Sequence, residues 1–356
     1  VSTILKDSRF GTPSPPSETH NLLRLLGLGA LARSAETGFL SSLNPPEHTR
    51  LRKIVEPFFQ KHAVASLEPR VETIVEHLLD EVDGSKEFNL VADYANRLPS
   101  FVIAEIFGFP NAEKEKLSRW ANRIAPLVDQ ELRRSALVLG LIASFKLRRR
   151  ILHLVRERKE DPKDDLLSAL ADAHYGEHGI TTDELVGLAV FVFTAGQITI
   201  ADLISSCILL LLRSPEILAE LKKRPDGIER FVEETLRLNS PLQRTARLVT
   251  EDVLVNQEII PRGSPVRLML GVANRDHTRF QRPDSIDLNC PNSRHLAFGA
   301  GRHFCLGLHL ARLEVKVAVG AILRRFPDLS LASDDLDWRA GTKFLGLSEL
   351  RIRTGK

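Results

Sequence analysis

Between Leu185 and Leu212 the chain reads LVGLAVFVFTAGQITIADLISSCILLLL, with Asp202 as its single charged residue. A helix this long and apolar on all sides belongs in one of two places. One is a bilayer, which needs about 20 apolar residues; the other is the centre of a protein large enough to surround it. The polar residues choose between them: Thr194, Gln197 and Thr199 stand at the midpoint, where a lipid-facing helix tolerates them least. No second run of this kind occurs in the 356 residues. The run is expected to be a buried central helix and not a membrane span.

The rest of the chain supplies the wrapping. Helical periodicity predicts helices over 48–59, 67–82, 91–107, 112–129, 136–158, 164–173, 182–212, 215–224, 228–238 and 306–325, with Thr182 and Glu184 as a cap for the long helix. Strand-like stretches fall late: Thr245 to Val249, VLVNQEII, SPVRLML and LSELRIRT. With no linker and no repeat, the expected fold is mainly α, one domain over 1–356 with a small β-sheet portion. The net charge of +3 comes from interspersed acids and bases, a solvated surface with no stripe for nucleic acid. Three cysteines, Cys207, Cys290 and Cys305, make no disulfide framework, and a reducing cytoplasm is the simpler setting. VSTILKDSRF has neither a signal-peptide layout nor an initiator Met.

The sharpest signal is HLAFGAGRHFCLGLHLARLE, from His295 to Glu314. Gly299 and Gly301 permit the left-handed backbone of a tight loop and leave Cys305 at the start of a helix, where amide donors and the helix dipole favour a thiolate. Gly307 has no side chain to hold a flat ligand away. A cysteine without such context is more often an inert buried thiol.

This loop, with Phe298, Gly301, Cys305 and Gly307 at the positions of FxxGxxxCxG, resembles the haem-binding signature of cytochrome P450 enzymes. The resemblance makes Cys305 the proximal thiolate ligand of the iron of haem b, with Phe298 and Gly299 in the haem-binding loop and the haem between the long central helix and the Cys-loop helix. It extends over nearly the whole chain and is strongest to the soluble bacterial branch. His48 and Arg52 in EHTRLRK match a pair that contacts haem propionates, as do Arg247 in LQRTARLV and His303. Glu234 and Arg237 in EETLR match the ExxR pair beneath the haem. Singly, such pairs are ordinary surface charges far more often than sites. Two departures follow. VSTILKDSRF corresponds to the family's second helix, so the preceding helix and first strands are expected to be absent and a sheet edge unpaired. In RPDSIDL, Ser285 and Ile286 replace the usual arginine and phenylalanine, leaving the third partner of Glu234 and Arg237 open, with Arg282 within reach.

TAGQIT then matches the centre of the family's distal helix. Ala195 and Gly196 leave room for dioxygen, and Thr199 corresponds to the threonine that serves it. Ile198 stands where an acid is usual. Asp202, one turn on, is either a rerouted proton relay or a charge paired to a neighbouring helix. By resemblance Phe191, Ala195, Leu242, Phe344 and Leu345 face substrate, with ordinary core packing as the alternative for Phe191 and the last pair, and the loop from Gly11 to Leu43 shapes specificity. The resemblance implies a monomeric monooxygenase acting on an apolar small molecule with O2. Electrons would come from NAD(P)H through a ferredoxin and ferredoxin reductase, steered by Arg50, Lys53, Arg302 and Arg312. Rival readings are a peroxide-driven enzyme and an inactive haem-binding scaffold, both raised by Ile198.

Overall fold

The computed structural model describes residues 1–13, 29–128, 134–176, 179–289 and 294–355. Helices, in chain order, are α1 (Ser2–Lys6), α2 (Gly29–Gly38), α3 (Glu47–Val55), α4 (Lys61–Ala65), α5 (Glu68–Val82), α6 (Leu98–Phe107), α7 (Lys114–Ile124), α8 (Arg134–Glu160), α9 (Leu166–Tyr175), α10 (Thr182–Leu212), α11 (Pro215–Lys223), α12 (Ile228–Leu238), α13 (Leu270–Ala273) and α14 (Leu308–Arg325). The apolar run is α10, and it packs against α2, α6, α7, α8, α12 and α14. It alone among the described helices is long and apolar enough to cross a membrane, yet 67% of its most apolar window is buried inside the protein. Its cap lies one residue earlier than expected. Thr181 Oγ1 accepts from the Glu184 N–H at 3.2 Å while the Thr181 N–H donates to Glu184 Oε2 at 2.8 Å, a reciprocal capping box.

Prolines explain where the expected helices were too long. The segment 48–59 is α3 followed by a 3₁₀ turn, Glu56–Phe59, that begins beside Pro57. The segment 91–107 is a π-helical turn, Leu90–Ala95, and then α6 with Pro99 in its first turn, the position that tolerates a missing N–H. The expected end of the 112–129 helix, Asp129, lies outside the described residues. VLVNQEII is a hairpin, not one strand. β4 (Val253–Val255) and β5 (Glu258–Ile260) pair antiparallel through Asn256 and Gln257, both at positive φ, as a two-residue hairpin turn requires.

The remaining strands form two sheets. β1 (Phe10–Gly11), β3 (Arg244–Val249) and β6 (Pro265–Met269) run in the order β1-β3-β6, and β2 (Glu87–Asn89), β8 (Arg351–Arg353) and β7 (Ser330–Leu331) in the order β2-β8-β7. VSTILKDSRF is therefore a short helix plus an edge strand. Phe10 pairs with Val249 and Gly11 with Leu248, which covers this end of β3, while β1 and β6 are the sheet's unpaired edges among the described strands. One hydrophobic cluster runs from Leu40 to Ile352. On α5 it takes Val71, Ile74, Val75, Leu78, Leu79 and Val82, the single stripe of an amphipathic helix.

Candidate functional site: the cysteine loop and the centre of the long helix

The loop before α14 turns on two left-handed glycines, Gly299 at φ 71° and Gly301 at φ 72°. A Cβ on Gly301 would collide with the Leu5 carbonyl, so α1 seats the loop from outside. Cys305 is partly buried, and its N–H donates to the Phe298 carbonyl at 2.9 Å. Burial pushes its thiol up; the Gly307 amide and the charges of Arg52 and Arg312 oppose this. Bonding of the sulfur to a metal cation reverses the balance, because coordination deprotonates a thiol.

Around the loop the expected cations come together. His48 is 3% exposed, and its ring lies 4.4 Å from that of His303. Arg52 Nη1 donates to the Phe304 carbonyl at 2.9 Å, and its Nε reaches Glu56 at 3.3 Å. Arg247, 5% exposed, donates only to its neighbours, the Ala246 carbonyl at 2.7 Å and Thr245 Oγ1 at 3.3 Å. Among the described residues no carboxylate forms a salt bridge with Arg247, His48 or His303. His303 Nε2 is buried without a hydrogen-bond partner. Burial and the positive charges of His48, Arg247, Arg302 and Arg52 push His303 down to about 3. The result is a pair of arginines beside two imidazoles whose protonation burial and those same charges oppose, and a nearby anion would relieve both.

Glu234 and Arg237 form a closed structural unit beside it. Arg237 is held bidentately by Glu234 at 2.8 to 3.2 Å and donates to the carbonyls of Asn274, Arg282, Pro283 and Ser285. Phe280 stacks on it at 5.0 Å. The third partner left open by Ser285 and Ile286 is thus backbone. Arg282 contributes its carbonyl, not its guanidinium, and the Asp287 N–H donates to Glu234.

A second unit leaves little trace in the sequence. Glu233 binds Arg312 bidentately at 2.7 Å and takes a hydrogen bond from His295 Nε2 at 3.3 Å. Arg312 lies 4.9 Å over the Phe298 ring. The only signal was the doubled acid in EETLR and the His that opens the loop. Two of the cations expected to meet a redox partner are committed elsewhere: Arg312 to Glu233 and Arg50 to Glu184. Lys53 is exposed and Arg302 half-exposed.

On α10, Ala195, Gly196, Ile198 and Thr199 keep accessible surface in the middle of a helix otherwise mostly buried. A cavity of about 60 Å³ there is lined by Phe39, Ser41, Phe191, Thr194, Ala195, Ile198 and Phe344. Three expected substrate residues line it. Leu242 adjoins through a bridge to Phe344, and the Leu345 N–H donates to the Pro241 carbonyl at 2.9 Å. Phe39, 5.6 Å from Phe191, and Ser41 come from the segment after α2, for which periodicity gave no sign. Residues 14–28 of the loop expected to shape specificity lie outside the described residues. Thr199 Oγ1 reaches back to Ala195 and Gly196 only at 3.4 Å, whereas Thr194 is tied to Val190 at 2.7 Å. Gln197 points the other way, bonding Asn96, Asn122 and Ser100 at 2.5 to 2.7 Å, which explains a glutamine in an apolar run. Asp202, 2% exposed, pairs with Arg339 at 2.5 Å. The expected ion pair is present, with its partner from the segment after the last helix and not from a neighbouring helix.

The residues present fit haem. Two propionates would answer Arg247, His48 and His303 with its orphaned Nε2, a thiol stands at the loop end, and a Cβ on Gly307 would meet nothing within 4 Å, leaving space for a flat ring. Fold and site together define a haem-thiolate protein built around one long helix. A sequence model of the Cytochrome P450 family matches residues 228–339. The biotin biosynthesis cytochrome P450 of Bacillus subtilis (strain 168) is 36% identical over 352 residues, 99% of this chain and 87% of the relative. The 6-deoxyerythronolide B hydroxylase of Saccharopolyspora erythraea is 36% identical over 317 residues, 88% of this chain and 77% of the relative. A crystal structure of P450BioI in complex with an acyl carrier protein ligated to hexadec-9Z-enoic acid superposes with a TM-score of 0.89 at 36% identity, covering 99% of this chain and 89% of that one. The chain belongs to the cytochrome P450 family of monooxygenases, whose members carry haem b on a cysteine thiolate.

Proposed function

We propose that Cys305 is the iron ligand, that His48, Arg52, Arg247 and His303 hold the propionates, and that the enzyme inserts one oxygen atom from O2 into an apolar small molecule by hydroxylation or epoxidation. Electrons come from NAD(P)H through ferredoxin reductase and ferredoxin, in the cytoplasm. The observation that carries this is Arg247, buried with no carboxylate partner among the described residues, beside the unpartnered His303 Nε2 and the Cys305 loop. Bound haem supplies the oxygen-activating chemistry; the chain supplies ligand, pocket and proton path.

Phe39, Phe191, Ile198 and Phe344 offer an apolar lining that excludes water and suits a substrate such as a fatty-acyl chain, in keeping with the hexadecenoic acid of the similar acyl-carrier complex. Ile198 carries no proton and Asp202 is held by Arg339. That leaves Thr199 Oγ1, loosely tethered at 3.4 Å, to donate a proton relayed by water. The test is the carbon-monoxide spectrum of the reduced protein. A red-shifted Soret band in wild type and its loss in Cys305→Ala are expected; a band that survives the substitution excludes Cys305.

Ile198 in the lining also favours a second reading in which hydrogen peroxide supplies both oxygen and electrons, one atom going to substrate and the other to water. Product from peroxide alone, at rates the ferredoxin system does not exceed, would select it.

A further inference from the structure

Phe298 has two close side-chain neighbours. Arg312 lies over its ring at 4.9 Å and the His295 ring is 5.8 Å away. His295 Nδ1 accepts from the Ala297 N–H at 3.2 Å, so the proton sits on Nε2, which donates to Glu233 at 3.3 Å. Glu233 closes the bracket with two 2.7 Å bonds to Arg312. The Phe298 carbonyl accepts the Cys305 N–H at 2.9 Å, so whatever fixes Phe298 fixes the backbone at the sulfur. Arg312 also bears on Cys305 through space, its positive charge favouring the thiolate. Its own charge is offset by Glu233, in contrast to Arg52, whose acid partner Glu56 makes one 3.3 Å contact.

We propose that Glu233, Arg312 and His295 act as positioning residues that set the reduction potential of the cysteine-ligated centre. They hold Phe298 against Cys305, and Glu233 fixes how much of the Arg312 charge the sulfur and its metal experience. This rests on the reading of Cys305 as the iron ligand. Adding positive charge near a redox centre stabilises the reduced form, which carries one positive charge fewer; removing it does the reverse.

The experiment is spectroelectrochemical titration of the haem-loaded wild type, Glu233→Gln, Arg312→Gln and the double variant, each with its reduced carbonyl spectrum. Glu233→Gln should shift the reduced-to-oxidised ratio about tenfold toward reduced at fixed potential, which for one electron is a rise of about 59 mV. Arg312→Gln should shift it about tenfold the other way, and the double variant should return to within about threefold of wild type. Arg312→Lys, which keeps the charge, should stay nearer wild type than Arg312→Gln. Singles that move the potential in the same direction, or not at all, overturn the inference. A wild type with no red-shifted carbonyl band overturns the ligand reading beneath it, whereas an intact band with unmoved potentials removes only the bracket.

Discussion

Two buried arginines stand near the cysteine loop, and they live in opposite circumstances. Arg237, 1% exposed, is neutralised by Glu234, four backbone carbonyls and the face of Phe280. Arg247, 5% exposed, has a neighbouring carbonyl, a threonine hydroxyl and the repulsion of Arg302. Burying a charge is costly unless it is paired. The first arginine is therefore satisfied within the protein, and the second finds no carboxylate among the described residues. Structural and ligand-binding charges, alike in sequence, are told apart by what surrounds them.

The sharpest break of that contrast is Arg237→Ala. It strands the Glu234 carboxylate in the interior, and removing one member of a buried pair costs about 3–5 kcal/mol. Urea unfolding of the haem-free protein should show the loss; a variant as stable as wild type would mean the network is not structural. Glu314 provides an acid of the contrary kind. It is 1% exposed, its Oε2 has no hydrogen-bond partner, and burial raises it to about 8. The fold favours its protonated form, so its contribution is full below about 4.5, the unfolded value, and is lost as pH rises through 8. Glu314→Gln should remove that loss, gaining on wild type by several kcal/mol between pH 5 and pH 9 in haem-free unfolding experiments. Parallel stability curves for the two proteins would show that Glu314 does not titrate there.

Arg247→Ala should behave opposite to Arg237→Ala. The haem-free protein should keep its stability within about 1 kcal/mol or gain, while haem transfers out roughly tenfold to a hundredfold more readily, the equivalent of one charge-assisted hydrogen bond. Haem retention equal to wild type would take Arg247 out of the site. The smallest effects concern α10. Asp202→Asn, which keeps an acceptor for Arg339, should leave turnover near wild type, and a large loss would restore Asp202 as a relay. Ile198→Glu should raise product formed per NAD(P)H several-fold, within the range general acid catalysis supplies. Tight coupling already present in wild type would show that protons reach the site by another route.

How far these assignments were legible in the sequence varies with the distance over which each is decided. The helix-rich plan and the buried rather than lipid setting of α10 could be read from periodicity and polar placement, whereas the roles of the cysteine loop and of His48, Arg52, Arg247 and His303 were implied by the family resemblance. The bracket Glu233–Arg312–His295 could not: its members lie 79 and 62 positions apart, and each alone is an ordinary charge. Phe39 and Ser41 were legible only as members of the 11–43 loop that the resemblance assigns to specificity; their place as pocket walls depends on α2 reaching α10 through a crossing at Gly38 and Gly187, where a Cβ on either would collide with the other's backbone.

By itself, then, the sequence determined what is encoded locally. An all-apolar stretch interrupted by Thr and Gln needs a protein interior, prolines end helices where they remove a donor, and glycines at 299 and 301 set a loop that ends in Cys305. Tertiary structure alone decided which charges are satisfied. Asp202 became an ion-paired residue because Arg339 comes within 2.5 Å of it. Arg237 became structural because the carbonyls of residues 274–285 converge on it, and Arg247 remained open because no carboxylate among the described residues does. Pairing depends on distances between segments far apart in the chain, and in a low-dielectric interior a few ångströms of separation decide whether a charge is held or available.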